Sequence, residues 1–403
     1  MFFGKSKKNV HSCICDIGSD SVSVSFVCTL DGIQKPEIIW YKKISLSSVS
    51  SHTKEKLGPK GLVKYALREI ITAAEDYRKK QKLNVPHNVL VSLASPWFIS
   101  ESHNEHLVYK DEHTFSETDF FDIVTKAGLS LEEKAKTKSN FLSHYFDSEA
   151  HVIEKNLINV KLNGYTIENP LGKQVHDLEL DFFLSIIPSD LYEFIKDIFD
   201  TEWGSAKVRI ASFPLIHYLV AKNTKQSLNN SLFVDITGSV TEVSKITDSA
   251  VVNIEHIPVG KSHFRKHIEN QYNIGSFMAN SLLDVYVQKK LSVQESANID
   301  FLIKDTETRW KKEIADYITS QKKEGFGCTE YVVSADALYV EFFSKLLRES
   351  ITPASDSTPE CVPLITSIES YNDLVIWGQD SSTNPFLALC ALFAIQNSLR
   401  TSL

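Results

Sequence analysis

The chain lacks a paired cysteine motif. Its six cysteines are scattered over 403 residues and none forms Cys-x-x-Cys, which excludes a zinc ribbon or a thioredoxin-type redox pair. Cys13 and Cys15 stand two apart in an apolar stretch, share one face of a strand, and read as buried thiols of a reducing compartment. Positive charge is not in surplus. The formal net charge is −8, so there is no global basic footprint for nucleic acid, and the basic runs at 77–82 and 321–325 read as helix ends. Long apolar runs are missing as well: the longest, at 386–395, falls short of the ~20 residues a spanning helix needs. The opening MFFGKSKK has no apolar segment after its lysines, so no signal peptide is expected and a cytoplasmic location is. A Gly-x-Ser-x-Gly elbow, a His-Glu-x-x-His pair and any persuasive nucleophile–base pair are absent. His103, His106 and His113 lie among Glu101, Glu105, Asp111 and Glu112; with no cysteine and no fixed helical spacing, they read as a solvated loop rather than a metal site.

What is present is an ordinary folded composition, 42% hydrophobic and 23% charged, in a chain long enough for two or three domains. Residues 11–19, 20–30 and 37–46 read as strands, the second with Val22, Val24 and Phe26 on one face and serines on the other. A helix follows, with Leu62, Val63, Ala66, Leu67, Ile70, Ile71, Ala74 and Tyr77 at i, i+3, i+4 spacing, and then a buried strand at 87–96. Residues 97–150 are polar and less regular, with one helix predicted at 116–128 behind a Ser116 N-cap. The second half repeats the opening: strand, small-residue turn and returning strand at 231–246, another strand, helices, a strand–turn–helix at 330–350, a loop at 352–363 and a closing apolar helix at 384–400.

Gly260-Lys261-Ser262 spells the end of a phosphate-binding Walker loop, but the spacing fails. The glycine required five places earlier is Glu255, inside a predicted strand, and a carboxylate there repels phosphate. Residues 169–174 also hold Gly-Lys, without a Ser or Thr for magnesium.

Two other units carry more. Asp16-Ile17-Gly18-Ser19 and Asp235-Ile236-Thr237-Gly238-Ser239 each place an aspartate at a strand end beside a tight turn. Two opposed half-domains holding one phosphate chain would need this arrangement, with turn amides on phosphate oxygens and aspartates orienting waters on magnesium. Two ordinary hairpins with a turn aspartate would look the same, and spacing alone does not separate them.

The order of the motifs resembles the actin-like ATPase family. Residues 16–22 match its first phosphate motif, 235–243 the second, IPVGKSHF its Ile-Pro-Val-Gly-Gly connector with Lys261 replacing a glycine, and VVSADALYVEFFSKLL its adenosine motif. Within the family the chain is similar to the branch of the division protein FtsA and the pilus-assembly protein PilM, because residues 163–188 resemble that branch's inserted SHS2 module and 384–395 its closing helix. The resemblance implies an α/β, actin-like (ribonuclease H-like) fold of two halves. It divides the chain into 1–88 and 188–229 as the first half, 89–187 as the SHS2-like insert, 230–380 as the second half with a small subdomain near 278–325, and 381–403 as a helix closing on the first half. It implies ATP and magnesium bound by Asp16, Gly18, Ser19, Asp235, Thr237, Gly238, Ser239, Ser334, Ala335 and Asp336, with Asp16 and Asp235 on the metal.

Three departures weaken that expectation. Thr237 stands where a glycine is usual, Ser334-Ala335-Asp336 replaces a glycine run, and the charged residues of an Ala-Glu-x-x-Lys pattern are missing at 279–283. The expected function is a cytoplasmic scaffold in division or envelope-machinery assembly, with ATP binding weakened or lost and no significant turnover. It would self-associate into filaments or bind division or pilus proteins through the insert, and reach the inner face of the membrane through partners. Phe2, Phe3, Lys5, Lys7 and Lys8 offer a weak membrane contact only; the amphipathic membrane helix usual after the closing helix is not seen before Leu403. The alternatives are a small-molecule phosphotransferase of the same superfold and a nucleotide-free pseudo-ATPase that only binds protein.

Overall fold

The computed structural model describes residues 10–28, 35–49, 51–137, 141–147, 149–167, 169–224, 228, 230–247, 250–351 and 364–398; the basic N-terminal octapeptide, the loop at 352–363 and the last residues lie outside these. The chain opens with β1 (Val10–Ile17), β2 (Ser21–Cys28) and β3 (Glu37–Ser45), then α1 (Ser51–Gln81) and β4 (Asn88–Leu93). β1 and β2 are buried along most of their length, and in β2 the serine face, with Ser23 and Ser25, is buried along with the apolar one. In α1 the predicted stripe is the buried face: Val63, Ala66, Leu67, Ile70, Ile71 and Ala74 are almost wholly inaccessible. The helix is kinked at Gly58, whose φ of 64° precedes Pro59, a proline that removes a helical donor.

Residues 99–188 hold β5 (Ile99–Thr114), α2 (Glu117–Lys136), β6 (Ala150–Leu162), β7 (Tyr165–Thr166) and β8 (Gln174–Pro188). They form a separate four-stranded sheet in the order β5-β8-β6-β7, against which α2 packs over its own core of Phe115, Leu131, Leu180 and Phe182. Ser116 caps α2 as predicted: its hydroxyl accepts from the Asp119 amide, and Asp119 accepts in return from the Ser116 amide. The irregular reading of this region needs correction. Its first part is the 16-residue strand β5, paired with β8 from Ile99 to Val108 and again at His113 and Thr114, and its polar sequence reflects a strand with one wet face. The strand β4, most of which falls within the 89–187 stretch, pairs with β1 in the first sheet and not with this separate one.

The chain continues with α3 (Ser189–Trp203), β9 (Lys207–Ser212) and α4 (Phe213–Thr224). The second half holds β10 (Ser231–Ile236), β11 (Thr241–Ile246), β12 (Val251–Ile257), α5 (Lys261–Tyr272), α6 (Ser276–Val287), α7 (Val293–Lys323), β13 (Glu330–Ser334), α8 (Val340–Ile351) and β14 (Leu364–Ser367). Then β15 (Ile376–Asp380) returns to the first sheet beside β3, and α9 (Pro385–Ser398) closes the chain. The two main sheets have the orders β15-β3-β2-β1-β4-β9 and β12-β11-β10-β13-β14. Each starts with an antiparallel three-strand meander and then adds a strand parallel to its first: β4 on β1, and β13 on β10. This is one topology used twice. Between the sheets lie α4 and α9, with α9 against β1 and β4 and α4 against β4, β9 and β12. Leu387, Ala388, Leu389, Cys390 and Ala391 of α9 are fully inaccessible, so its all-round apolar sequence is that of a helix buried on every side. No helix of the described residues is long and apolar enough to cross a membrane.

Candidate functional site

The repeated topology brings the two aspartates together. Asp16 sits near the C-terminal end of β1 in register with Ser23 and Ser92; Asp235 sits near the end of β10 in register with Glu242 and Ser334. Both line one hollow between the halves, along with Gly18, Asp20, Lys43, Thr237, Gly238, Lys261 and Asp336. Asp235 is 5% exposed, and neither of its carboxylate oxygens has a hydrogen-bond partner among the described residues. Burial, reinforced by the carboxylates of Glu242, Asp16 and Asp336, raises its pKa well above the ordinary aspartate range. Burial likewise pushes Asp16 up to about 6.

The two turns meet directly. The Ser19 hydroxyl accepts from the Ser239 amide at 2.9 Å and donates to the Thr237 hydroxyl at 3.1 Å. The Thr237 hydroxyl also donates to the Val240 carbonyl at 2.8 Å, so threonine serves this turn as an internal brace. A Cβ added to Gly238 would stand 2.4 Å from the Asp20 Cβ; glycine here lets the first turn close on the second. At Gly260 an added Cβ would lie 2.6 to 2.7 Å from the backbone of Thr237, Gly238 and Val240. There the Lys261 and Ser262 amides donate to the Thr237 and Gly238 carbonyls at 3.0 and 2.6 Å. The connector at 254–264 is therefore a strand, a short link and a helix, with Glu255 inside β12.

Lys261 fills the space beside these turns. Its ammonium lies 2.5 Å from Asp336 and 3.1 Å from Asp20, and Lys43 lies 3.2 Å from the other Asp336 oxygen. Asp20 and Lys43 come from the first half, Lys261 and Asp336 from the second, so the cluster spans the cleft. Burial opposes the charge on Lys261, but Asp20 and Asp336 outweigh it and raise its pKa. Burial also opposes the charge on Asp336, and Lys261 and Lys43 hold that carboxyl far below its usual range. The remaining hollow is about 50 Å³, room for a few waters. A triphosphate does not fit these residues as arranged: the Ser19 hydroxyl occupies the Ser239 amide, the Lys261 ammonium bridges Asp20 and Asp336 across the hollow, and the two turns are already in contact. Ser334 and Ala335 are fully buried at the end of β13 and present no free polar surface.

Sequence reasoning gathered Asp16, Gly18, Ser19, Asp235, Thr237, Gly238, Ser239, Ser334, Ala335 and Asp336 around the cleft. It missed Asp20, Lys43 and the ion-pairing role of Lys261. The available signal was Lys261 itself, a cation replacing a glycine in the connector. The three histidines do not converge: His106 pairs with Asp177, His113 with Asp119, and His103 stacks on Phe182. No cluster of metal-ligating side chains occurs among the described residues.

The sequence matches no protein-family model and no curated protein. Its architecture does match solved structures. The PilM-PilN type IV pilus biogenesis complex aligns over 97% of this chain and 99% of that one, at 10% identity with a TM-score of 0.60. A Bacteroides thetaiotaomicron protein with actin-like ATPase fold and unknown function aligns over 97% and 98% at 11% identity, with a lower TM-score of 0.44. The ethanolamine utilization protein EutJ from Carboxydothermus hydrogenoformans aligns over 95% and 88% at 11% identity and 0.43. The first match shows the fold: the chain has the actin-like, two-half α/β fold, and it resembles PilM.

Proposed function

We propose that this chain is a protein-binding scaffold on the actin-like fold, one that works in an envelope-assembly or division machine without a nucleotide cycle. The observation that carries the reading is the Lys261–Asp20–Asp336–Lys43 cluster. The chain places its own cations in the cleft and ties the halves together where a phosphate chain and its metal would be needed to do so. The PilM structure is a complex with PilN, and by analogy the ligand here is a protein. In this reading residues 99–188 are an SHS2-like interaction module; Phe121 and Leu129 on α2 and Val108 on β5 stay exposed there, apolar surface available to a partner. That partner carries the scaffold to the inner face of the membrane, and self-association into filaments would use the same class of surface. A phosphotransferase gains no support from the cleft, because it needs a phosphate path where Ser19 meets Ser239. Calorimetric titration with Mg-ATP tests the reading: no binding is expected up to millimolar nucleotide, and micromolar binding would overturn it.

A further inference from the structure

A second hollow, of about 310 Å³, opens between α5 and α7, away from the paired aspartates. Val259 lies against it, and the remaining lining is polar: His263, Lys266, His267 and Asn270 from α5, and Asp305, Thr306 and Arg309 from α7. Among the described residues neither Lys266 nor Arg309 is in an ion pair. Asp305 stands one helical turn before Arg309, a spacing that favours pairing, yet the two form no salt bridge. Two permanent cations and two histidines thus face one carboxylate, in a chain whose net charge is −8. Lys266 and Arg309 are both solvent-exposed, so water hydrates them when the hollow is empty, and an anion entering it would meet two unpaired cations together.

The hydrogen-bonding groups match that charge. The Gly260 amide donates to Nδ1 of His263 at 3.1 Å, so the ring proton of neutral His263 resides on Nε2, which is a donor. Burial first, and then the charges of Lys266, Arg309 and His267, keep the His263 pKa below its ordinary value. Thr306 adds a buried hydroxyl and Asn270 an amide. Arginine offers a fork of donors suited to phosphate oxygens, and lysine a point charge.

We propose that this hollow binds a phosphate group, as free phosphate or as a small soluble phosphate ester. The site rests on α5, the helix whose first residue is Lys261, so the bound anion would brace the same helix that closes the cleft.

Isothermal titration at fixed ionic strength tests this, with inorganic phosphate in one arm and glycerol 3-phosphate in the other. Saturable binding is expected in at least one arm, and the tighter arm identifies free phosphate or an ester as the ligand. The Lys266→Ala/Arg309→Ala variant should bind about tenfold more weakly or worse with an unchanged unfolding temperature in phosphate-free buffer, since both residues are exposed. Should the alanine variant fail to fold, Lys266→Gln with Arg309→Gln is measured instead. No saturable binding in either arm, or equal affinity in the folded double variant, overturns the proposal.

Discussion

Glycine positions near the cleft differ sharply in what they require. Gly18 has room: an added Cβ would meet the Ser21 carbonyl at 3.4 Å, an ordinary contact, and no positive φ is involved. Gly238 has none, because Asp20 occupies the place a side chain would take. Gly238→Ala should therefore destabilise the chain by about 1–3 kcal/mol, the usual range for overpacking, while Gly18→Ala should change stability by less than about 0.5 kcal/mol. Chemical denaturation of the two variants checks this, and equal effects would mean the turns do not interlock. At Thr237, where a glycine is usual, the side chain has a structural role: its hydroxyl is hydrogen-bonded within the turn and to Ser19.

At the level of elements, β11 and β12 carry a buried polar group toward the first half. Glu242 on β11 is fully inaccessible, and His256 on β12 lies 3.7 Å from it. The ring of His256 also meets the Ser95 hydroxyl at 2.6 Å, just beyond β4. Burial raises Glu242 from 4.5 to about 8 and lowers His256 from 6.5 to about 4. A raised acid favours the folded state most below its unfolded pKa, and that contribution falls as pH climbs from 4.5 to 8. A lowered base does the reverse, its contribution being lost as pH falls from 6.5 to 4. The two slopes cancel between pH 4.5 and 6.5, and only the Glu242 slope remains from 6.5 to 8. Glu242→Gln should remove that decline, so stability relative to the wild type rises between pH 6.5 and 8. Urea titrations at three pH values read it out, and parallel wild-type and variant curves over that range would count against a protonated Glu242.

Across the whole molecule, the Lys261 cluster joins elements separated by more than two hundred residues of sequence. Removing one partner of a largely buried ion pair leaves an uncompensated charge, which is worse than removing both. Lys261→Met should lower stability by about 1–3 kcal/mol, discounted because Asp336 is 37% exposed. Adding Asp336→Asn should restore part of that loss. The single variant should also speed hydrogen exchange in β1 and β10, whose ends meet across the cleft. A double variant no more stable than Lys261→Met alone, with unchanged exchange, would show that the cluster does not hold the halves together.

The sequence by itself determined most of the elements and their order. Apolar runs marked the buried strands, the i, i+3, i+4 stripe marked α1, Ser116 marked the start of α2, and the two Asp-Ile turns marked the duplication, because each signal is set by neighbours along the chain. The long strand β5 escaped notice because its exposed face carries charged and polar residues that read as loop. Only the tertiary structure decided what the cleft contains. Whether Lys261 is a surface cation or the bridge between Asp20 and Asp336 depends on where two distant turns come to rest. That position follows from α4 and α9 packing between the sheets, an arrangement fixed by burial in three dimensions that no local pattern records.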